Sequence, residues 1–155
     1  MNSERQGQML GLFKPKEKNC KPKDNTGRAR ILVVDDDTAL IETIRHRFQY
    51  CEWDVITASN GKEGLEKAIN EKPDVIVLDI NMPVLNGHEM IIRLRGNRQL
   101  KDIPVIMCTM SNKIQDITTA ASYNISGYVT KPFDYAELIK NIENALKEVQ
   151  ERNIE

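Results

Sequence analysis

The chain is expected to fold as a three-layer α/β sandwich, a parallel sheet of five strands covered on both faces by five helices. Two observations lead there. Short branched apolar runs recur and end in acidic or hydroxyl residues, and segments with helical apolar spacing lie between them. Runs that are apolar throughout belong to strands buried on both faces, the usual condition of a parallel sheet. Strands alternating with helices then give right-handed crossovers.

The first strand is Ile31-Leu32-Val33-Val34, followed by Asp35-Asp36-Asp37. Leu40, Ile41, Ile44 and Phe48 recur at helical spacing behind it, with Asp37 placed to cap that helix. Asp54 to Ala58 reads as a second strand, and Leu65, Ala68 and Ile69 mark a helix entered at Asn60-Gly61. The third strand, Asp74 to Leu78, runs into Asp79. Pro83 and Asn86-Gly87 then enforce a loop before the helix of Met90, Ile91 and Leu94, which Gly96 ends. Pro104 to Cys108 forms a fourth strand running into Thr109, with Ser111 nearby. Ile114, Ile117 and Ala121 mark a fourth helix, and Gly127 to Thr130 a short fifth strand. Asp134 and Glu137 cap the last helix, whose core stripe is Leu138, Ile139, Ile142, Ala145, Leu146 and Val149.

At 155 residues, 40% hydrophobic and 29% charged, the chain suits one domain of ordinary core size. With 22 basic and 23 acidic side chains, the net charge of −1 gives no support to a general polyanion binder. The balance is uneven along the chain. Arg5, Lys14, Lys16, Lys18, Lys21, Lys23, Arg28 and Arg30 crowd the first segment against only Glu4, Glu17 and Asp24. Polar and interrupted by Pro15 and Pro22, residues 1–29 read as a flexible basic arm, ahead of a domain at 30–151 and a short tail at 152–155. The rival reading of the arm is a lipid-surface anchor built on Met9, Leu10, Leu12 and Phe13.

Cys20, Cys51 and Cys108 form no CxxC pair, which disfavours both a disulfide framework and a zinc site. The Met9 to Phe13 cluster is too short for a signal-peptide core, and no apolar run approaches a membrane span. A cytoplasmic location without a membrane span is expected.

In an open parallel sheet the ligand site lies beyond the C-terminal ends of the strands. Asp35, Asp36 and Asp79, a hydroxyl from Thr109 and the ammonium of Lys131 should therefore meet at one rim. Two carboxylates about 4 Å apart repel by roughly 4 kcal/mol at an effective dielectric near 20, so the group needs compensation. Oxygen ligands without His or Cys point to a hard divalent cation, Mg²⁺ or Mn²⁺. One dication and Lys131 would neutralise the three carboxylates and admit a phosphoryl group, toward which Asp79 can act as nucleophile.

Val33-Val34-Asp35-Asp36, Val77-Leu78-Asp79-Ile80-Asn81-Met82-Pro83, Thr109, Tyr128 and Lys131-Pro132, in that order on strand ends, resemble the receiver domain of two-component response regulators. The resemblance covers roughly Arg30 to Glu151. It implies a flavodoxin-like sheet of order 2-1-3-4-5 and phosphorylation of Asp79. It also implies a metal held by Asp35, Asp36, Asp79 and the Asn81 carbonyl, and a cis bond between Lys131 and Pro132. Lys131 would pair with Asp79 and then with the phosphoryl group; Thr109 would bind that group, and Tyr128 would turn inward behind it. The implied partners are a sensor histidine kinase or phosphotransfer protein and a downstream protein target, with homodimerisation on activation left open. No DNA-binding domain is expected after the last helix. Met110 departs from the family, which usually has a small residue there, and predicts restricted access for a phosphodonor or a restricted swing of Tyr128.

Taken singly, each of these residues has an ordinary reading as a cap, a surface lysine or a strand-end hydroxyl; only their company lifts them above it. The main alternative is a haloacid-dehalogenase-like phosphohydrolase, which wants an acid two positions after the nucleophile, where this chain has Asn81. A receiver fold that binds partners without phosphorylation would be favoured only had the acidic residues been lost. A flavodoxin-like cofactor binder conflicts with three carboxylates where a phosphate-cradling loop should be. His46 and His88 read as surface or packing residues, Cys108 as a buried thiol, and Cys51 and Trp53 as packing against the first helix.

Overall fold

Five strands pair in parallel in the order β2-β1-β3-β4-β5, the order expected. They are β1 (Arg30–Val34), β2 (Asp54–Ala58), β3 (Val75–Leu78), β4 (Val105–Thr109) and β5 (Gly127–Thr130). The computed structural model describes residues 27–110, 118 and 121–154. Among them are four helices: α1 (Thr38–Phe48), α2 (Gly61–Glu71), α3 (Gly87–Gly96) and α4 (Tyr135–Ile154). The helix expected around Ile114, Ile117 and Ala121 falls mostly outside this set, as do Cys20, Ser111 and nearly all of the basic arm.

The central strands are apolar on both sides because both sides are covered. Ile31 and Val33 of β1, Val75 and Val77 of β3, and Ile106 and Cys108 of β4 pack with Ile41, Ile44 and Phe48 of α1 and Leu138, Ile142, Ala145 and Leu146 of α4. Their neighbours in sequence, Leu32, Val34, Ile76, Leu78, Val105 and Met107, face the opposite way into Ala68 of α2 and Met90, Ile91 and Leu94 of α3. This two-residue alternation splits the core into two layers about one sheet. Cys51 and Trp53 join the first layer, with the Trp53 ring edge-on to Phe48 at 5.1 Å.

The helix starts follow their capping chemistry. Asp37 accepts from the Leu40 N–H at 3.0 Å, Asn60 from Glu63 at 2.9 Å and Asn86 from Glu89 at 2.9 Å. Asp134 accepts from the Ala136 N–H at 2.9 Å at the head of α4. That helix runs on to Ile154, through most of the segment expected to be a tail.

Some boundaries differ for identifiable reasons. Asp74 stands just outside β3, where its carboxylate accepts the Arg30 N–H at 2.8 Å and its own N–H donates to the Arg30 carbonyl. Pro104 has no N–H to give and lies outside β4, although its carbonyl accepts from Ile76. Ile69, one of the apolar residues that mark α2, is 44% exposed; the buried side of α2 is made of Gly61, Gly64 and Ala68. A 3-10 turn, Gln49–Cys51, adds an element before β2 and ends at Glu52 with φ 56°.

At the N-terminal end of the sheet, Arg95 of α3 ties two connections together, the one leading into β4 and the one leading into β5. Its guanidinium donates to the carbonyls of Tyr123, Lys101, Ile103 and Asn124 at 2.8–3.3 Å. Replacement by alanine strips four acceptors of this donor; Arg95→Ala is expected to cost roughly 2–4 kcal/mol and to lower the melting temperature by about 5–15 °C. Arg95→Lys should recover only part, since one ammonium lacks the planar fork. Thermal unfolding followed by circular dichroism checks both.

Candidate functional site

The register of the sheet sets the site. Val34 lies opposite Leu78, so the next residues, Asp35 and Asp79, leave adjacent strands at the same level. The ladder continues one residue past the strand ends, with Asp35 N–H bonded to the Ala58 carbonyl and Asp79 N–H to the Val34 carbonyl, each at 3.0 Å. On the other side Thr109 pairs with Thr130, and the Lys131 N–H donates to the Thr109 carbonyl at 2.7 Å. Lys131 therefore enters the rim as the first residue beyond β5, and its bond to Pro132 is cis.

Asp35 and Asp79 are buried, at 3% and 5% exposure, whereas Asp36 is exposed. One carboxylate oxygen from each of the three lies within 4.8 Å of the others. Lys131 Nζ is 2.6 Å from Asp35 Oδ2 and 3.4 Å from Asp79 Oδ2, so it sits closer to Asp35 than to Asp79, the partner expected for it. The orientation of Asp35 accounts for this. Its Oδ1 accepts the Asp37 N–H at 2.9 Å, which turns Oδ2 toward the ammonium. Asp79 Oδ1 accepts the Asn81 N–H at 3.3 Å. Thr109 is fully buried, Asn81 is exposed, and Tyr128 is partly buried against the α2/α3 layer. Met110 is 78% exposed.

Burial pushes the Asp79 carboxyl above its ordinary range, and the Asp35 charge pushes it further; Lys131 and the Asn81 N–H pull against them without prevailing. Burial alone would lower the Lys131 ammonium, but its hydrogen bond to Asp35 and the charges of Asp35 and Asp79 raise it. It stays protonated at neutral pH. Cys108, across the ladder from Asp79, is pushed up to about 12, chiefly by burial, and carries no thiolate for chemistry. A buried carboxylate left under-compensated by one ammonium, grouped with two more carboxylates and, among the described residues, with no His or Cys ligand, fits a metal held by oxygen.

The model of the response regulator receiver domain matches residues 31–143. The chain belongs to that family. The receiver is 36% identical over 118 residues to the alkaline phosphatase synthesis transcriptional regulatory protein PhoP of Bacillus subtilis, covering 76% of this chain and 48% of PhoP. It is 34% identical to the DNA-binding dual master transcriptional regulator RpaA of Synechocystis, covering 76% and 49%. Among solved structures it resembles the chemotaxis response regulator CheY4 of Vibrio cholerae, with a TM-score of 0.70, 32% identity and coverage of 76% of this chain and 98% of that one.

The chain spans about half the length of the curated relatives it matches. Those relatives are transcriptional regulators, one named as DNA-binding, which overturns the expectation of no DNA-binding domain. A receiver's own residues encode its sheet and its rim; they carry no physical record of the module to which a receiver is coupled. Among the described residues no helix is long and apolar enough to cross a membrane.

Two residues of the site escaped the reading of the sequence. Asn60-Gly61 reads as a helix entry and Asn86-Gly87 as a loop, yet each glycine is the buried first residue of a helix lying against backbone. A β-carbon on Gly87 would stand 2.3 Å from the Asp79 carbonyl oxygen. The signal available was the repeated Asn-Gly directly ahead of a helix.

Because its carboxyl is raised on folding, Asp79 favours the folded state while protonated, and that contribution is lost as pH rises through its folded-state titration. Once ionised, it opposes folding. Asp79→Asn is therefore expected to raise the melting temperature at pH 7 without divalent ions, by roughly 2–4 °C for each kcal/mol relieved. The gap from wild type should close as pH falls and Asp79 takes up a proton. Unfolding curves at a series of pH values check this.

Proposed function

We propose that the chain is a phosphoacceptor: Asp79 takes a phosphoryl group from a histidine kinase or phosphotransfer protein in a Mg²⁺-dependent reaction. The observation that carries the reading is the meeting of three carboxylate oxygens within 4.8 Å beside a lysine ammonium. An Asp79 carboxylate oxygen attacks phosphorus; the new O–P bond forms as the donor's P–N bond breaks, and the histidine departs with that electron pair. No covalent help beyond this is needed, since positioning and charge neutralisation supply most of the catalysis in phosphoryl transfer.

Asp35, Asp36, Asp79 and the Asn81 carbonyl would hold the Mg²⁺, which when bound neutralises charge on the phosphoryl oxygens. Lys131 already lies 3.4 Å from Asp79 and is placed to follow the charge from carboxylate to phosphoryl oxygen. The modification adds about −1.5 to −2 charges and three acceptors beside Lys131 and Thr109. Thr109 binds one of those oxygens, and Tyr128 moves into the space it leaves. The curated relatives are transcriptional regulators, so the output we assign to the phosphorylated state is control of transcription.

Incubation with Mg²⁺ and acetyl phosphate, followed by intact mass, should give one phosphoryl adduct in wild type and none in Asp79→Asn. Omitting the divalent ion should abolish it. An adduct that survives in Asp79→Asn would place the acceptor elsewhere. Met110 stands exposed directly after Thr109, and Met110→Ala should speed uptake from this small donor several-fold; an unchanged rate removes Met110 as an obstacle.

A further inference from the structure

Asp79 begins a loop, residues 79–86, that two helix starts pin from opposite ends. At the near end Gly87 presses on the Asp79 carbonyl and donates its N–H to the Ile80 carbonyl at 2.9 Å. At the far end Gly61, from a different helix, donates its N–H to the Leu85 carbonyl at 3.1 Å. A β-carbon on Gly61 would stand 2.4 Å from that carbonyl oxygen and 3.0 Å from the Leu85 β-carbon. Neither glycine has positive φ, so what the fold uses is the missing side chain.

Between these clamps the backbone is strained. Val84 has φ 71°, and the Leu85 N–H reaches back to the Pro83 carbonyl at 2.8 Å, a γ-turn that a β-branched residue adopts only under constraint. Val84 itself is 79% exposed, so its side chain does not supply that constraint. The buried side chains of Met82 and Leu85 and the Gly61–Leu85 bond do.

We infer that Gly61 is a positioning residue for the phosphoacceptor: its side-chain-free contact with the Leu85 carbonyl closes the loop that sets Asp79 relative to Asp35 and Lys131. A side chain at position 61 drives the Leu85 carbonyl away, and the displacement travels along a loop whose other end is the Asp79 backbone. The inference rests on the phosphoacceptor reading. Gly64, one turn along α2, separates positioning from plain packing. A β-carbon there would crowd Met90 Cε and Val34 Cγ2 at 3.0 Å, both side-chain atoms with no part in the 79–86 loop.

The test compares the 155-residue wild type, Gly61→Ala and Gly64→Ala by melting temperature, by calorimetric Mg²⁺ titration and by the rate of adduct formation with acetyl phosphate, well below the melting temperatures. Gly61→Ala should slow adduct formation by about ten-fold or more and weaken Mg²⁺ binding, because ångström misplacements carry losses of that order. Gly64→Ala should lower the melting temperature and leave both other readouts close to wild type. Adding Val84→Gly, which frees the loop to let the Leu85 carbonyl recede, should return Gly61→Ala to the rate of Val84→Gly alone. Wild-type rate and Mg²⁺ affinity in Gly61→Ala, or equal losses in Gly64→Ala, would overturn the inference. Should Gly61→Ala not fold, the double variant decides: folding with the Val84→Gly rate supports the inference, and failure to fold places the defect in α2 and overturns it. A wild type that binds Mg²⁺ but gives no adduct refutes the phosphoacceptor reading and leaves this inference to the Mg²⁺ affinities. A wild type that does neither refutes both.

Discussion

Like charges can be held at close range only by a scaffold that cannot relax, and the rim of this sheet meets that demand. Asp35 and Asp79 leave adjacent strands at the same register position, and their backbone N–H groups are still in the ladder when their side chains depart from it. The backbones that carry the two carboxylates cannot move apart without breaking those bonds. Lys131 arrives from the opposite side on a backbone tied to Thr109, and it shares its ammonium between the two buried acids. Burial, and after it the Asp35 charge, raise the Asp79 carboxyl despite the neighbouring cation. Membership of the receiver family and the geometry of the rim thus meet in one electrostatic arrangement.

Much of this could be read from residue order. Apolar runs without alternation identified the central strands, and the residues directly after them identified Asp35, Asp79 and Thr109, because strand ends are where side chains leave the sheet. Asp37 and Asp134 disclosed helix starts through capping chemistry that is local and short in range. What was hidden depended on contacts between distant segments. The preference of Lys131 for Asp35 follows from a hydrogen bond at Asp37, and α2 buries Gly61, Gly64 and Ala68 while its Ile69 lies exposed. Asn-Gly is sufficiently read as a turn; that Gly61 faces the Leu85 carbonyl across the fold and Gly87 the Asp79 carbonyl at the start of its own loop has no signature in the adjacent residues.

The glycine contacts and the charged rim are coupled. A loop with a β-branched residue at positive φ does not hold its shape by intrinsic preference, so Asp79 owes part of its placement to helices that contribute none of the acidic side chains. The acidic residues are conspicuous in the sequence, whereas the groups that hold the loop beside them are main-chain atoms and absent side chains.

Arg95 has a consequence of another kind. All of its described hydrogen bonds go to main-chain oxygens, which every amino acid possesses. Positions 101, 103, 123 and 124 can therefore exchange their side chains without loosening this grip, provided the backbone path is kept. The end of the sheet remote from the acidic rim is fastened in a way that is blind to local identity, leaving those connections open to divergence while the strand register, and with it the rim, is preserved.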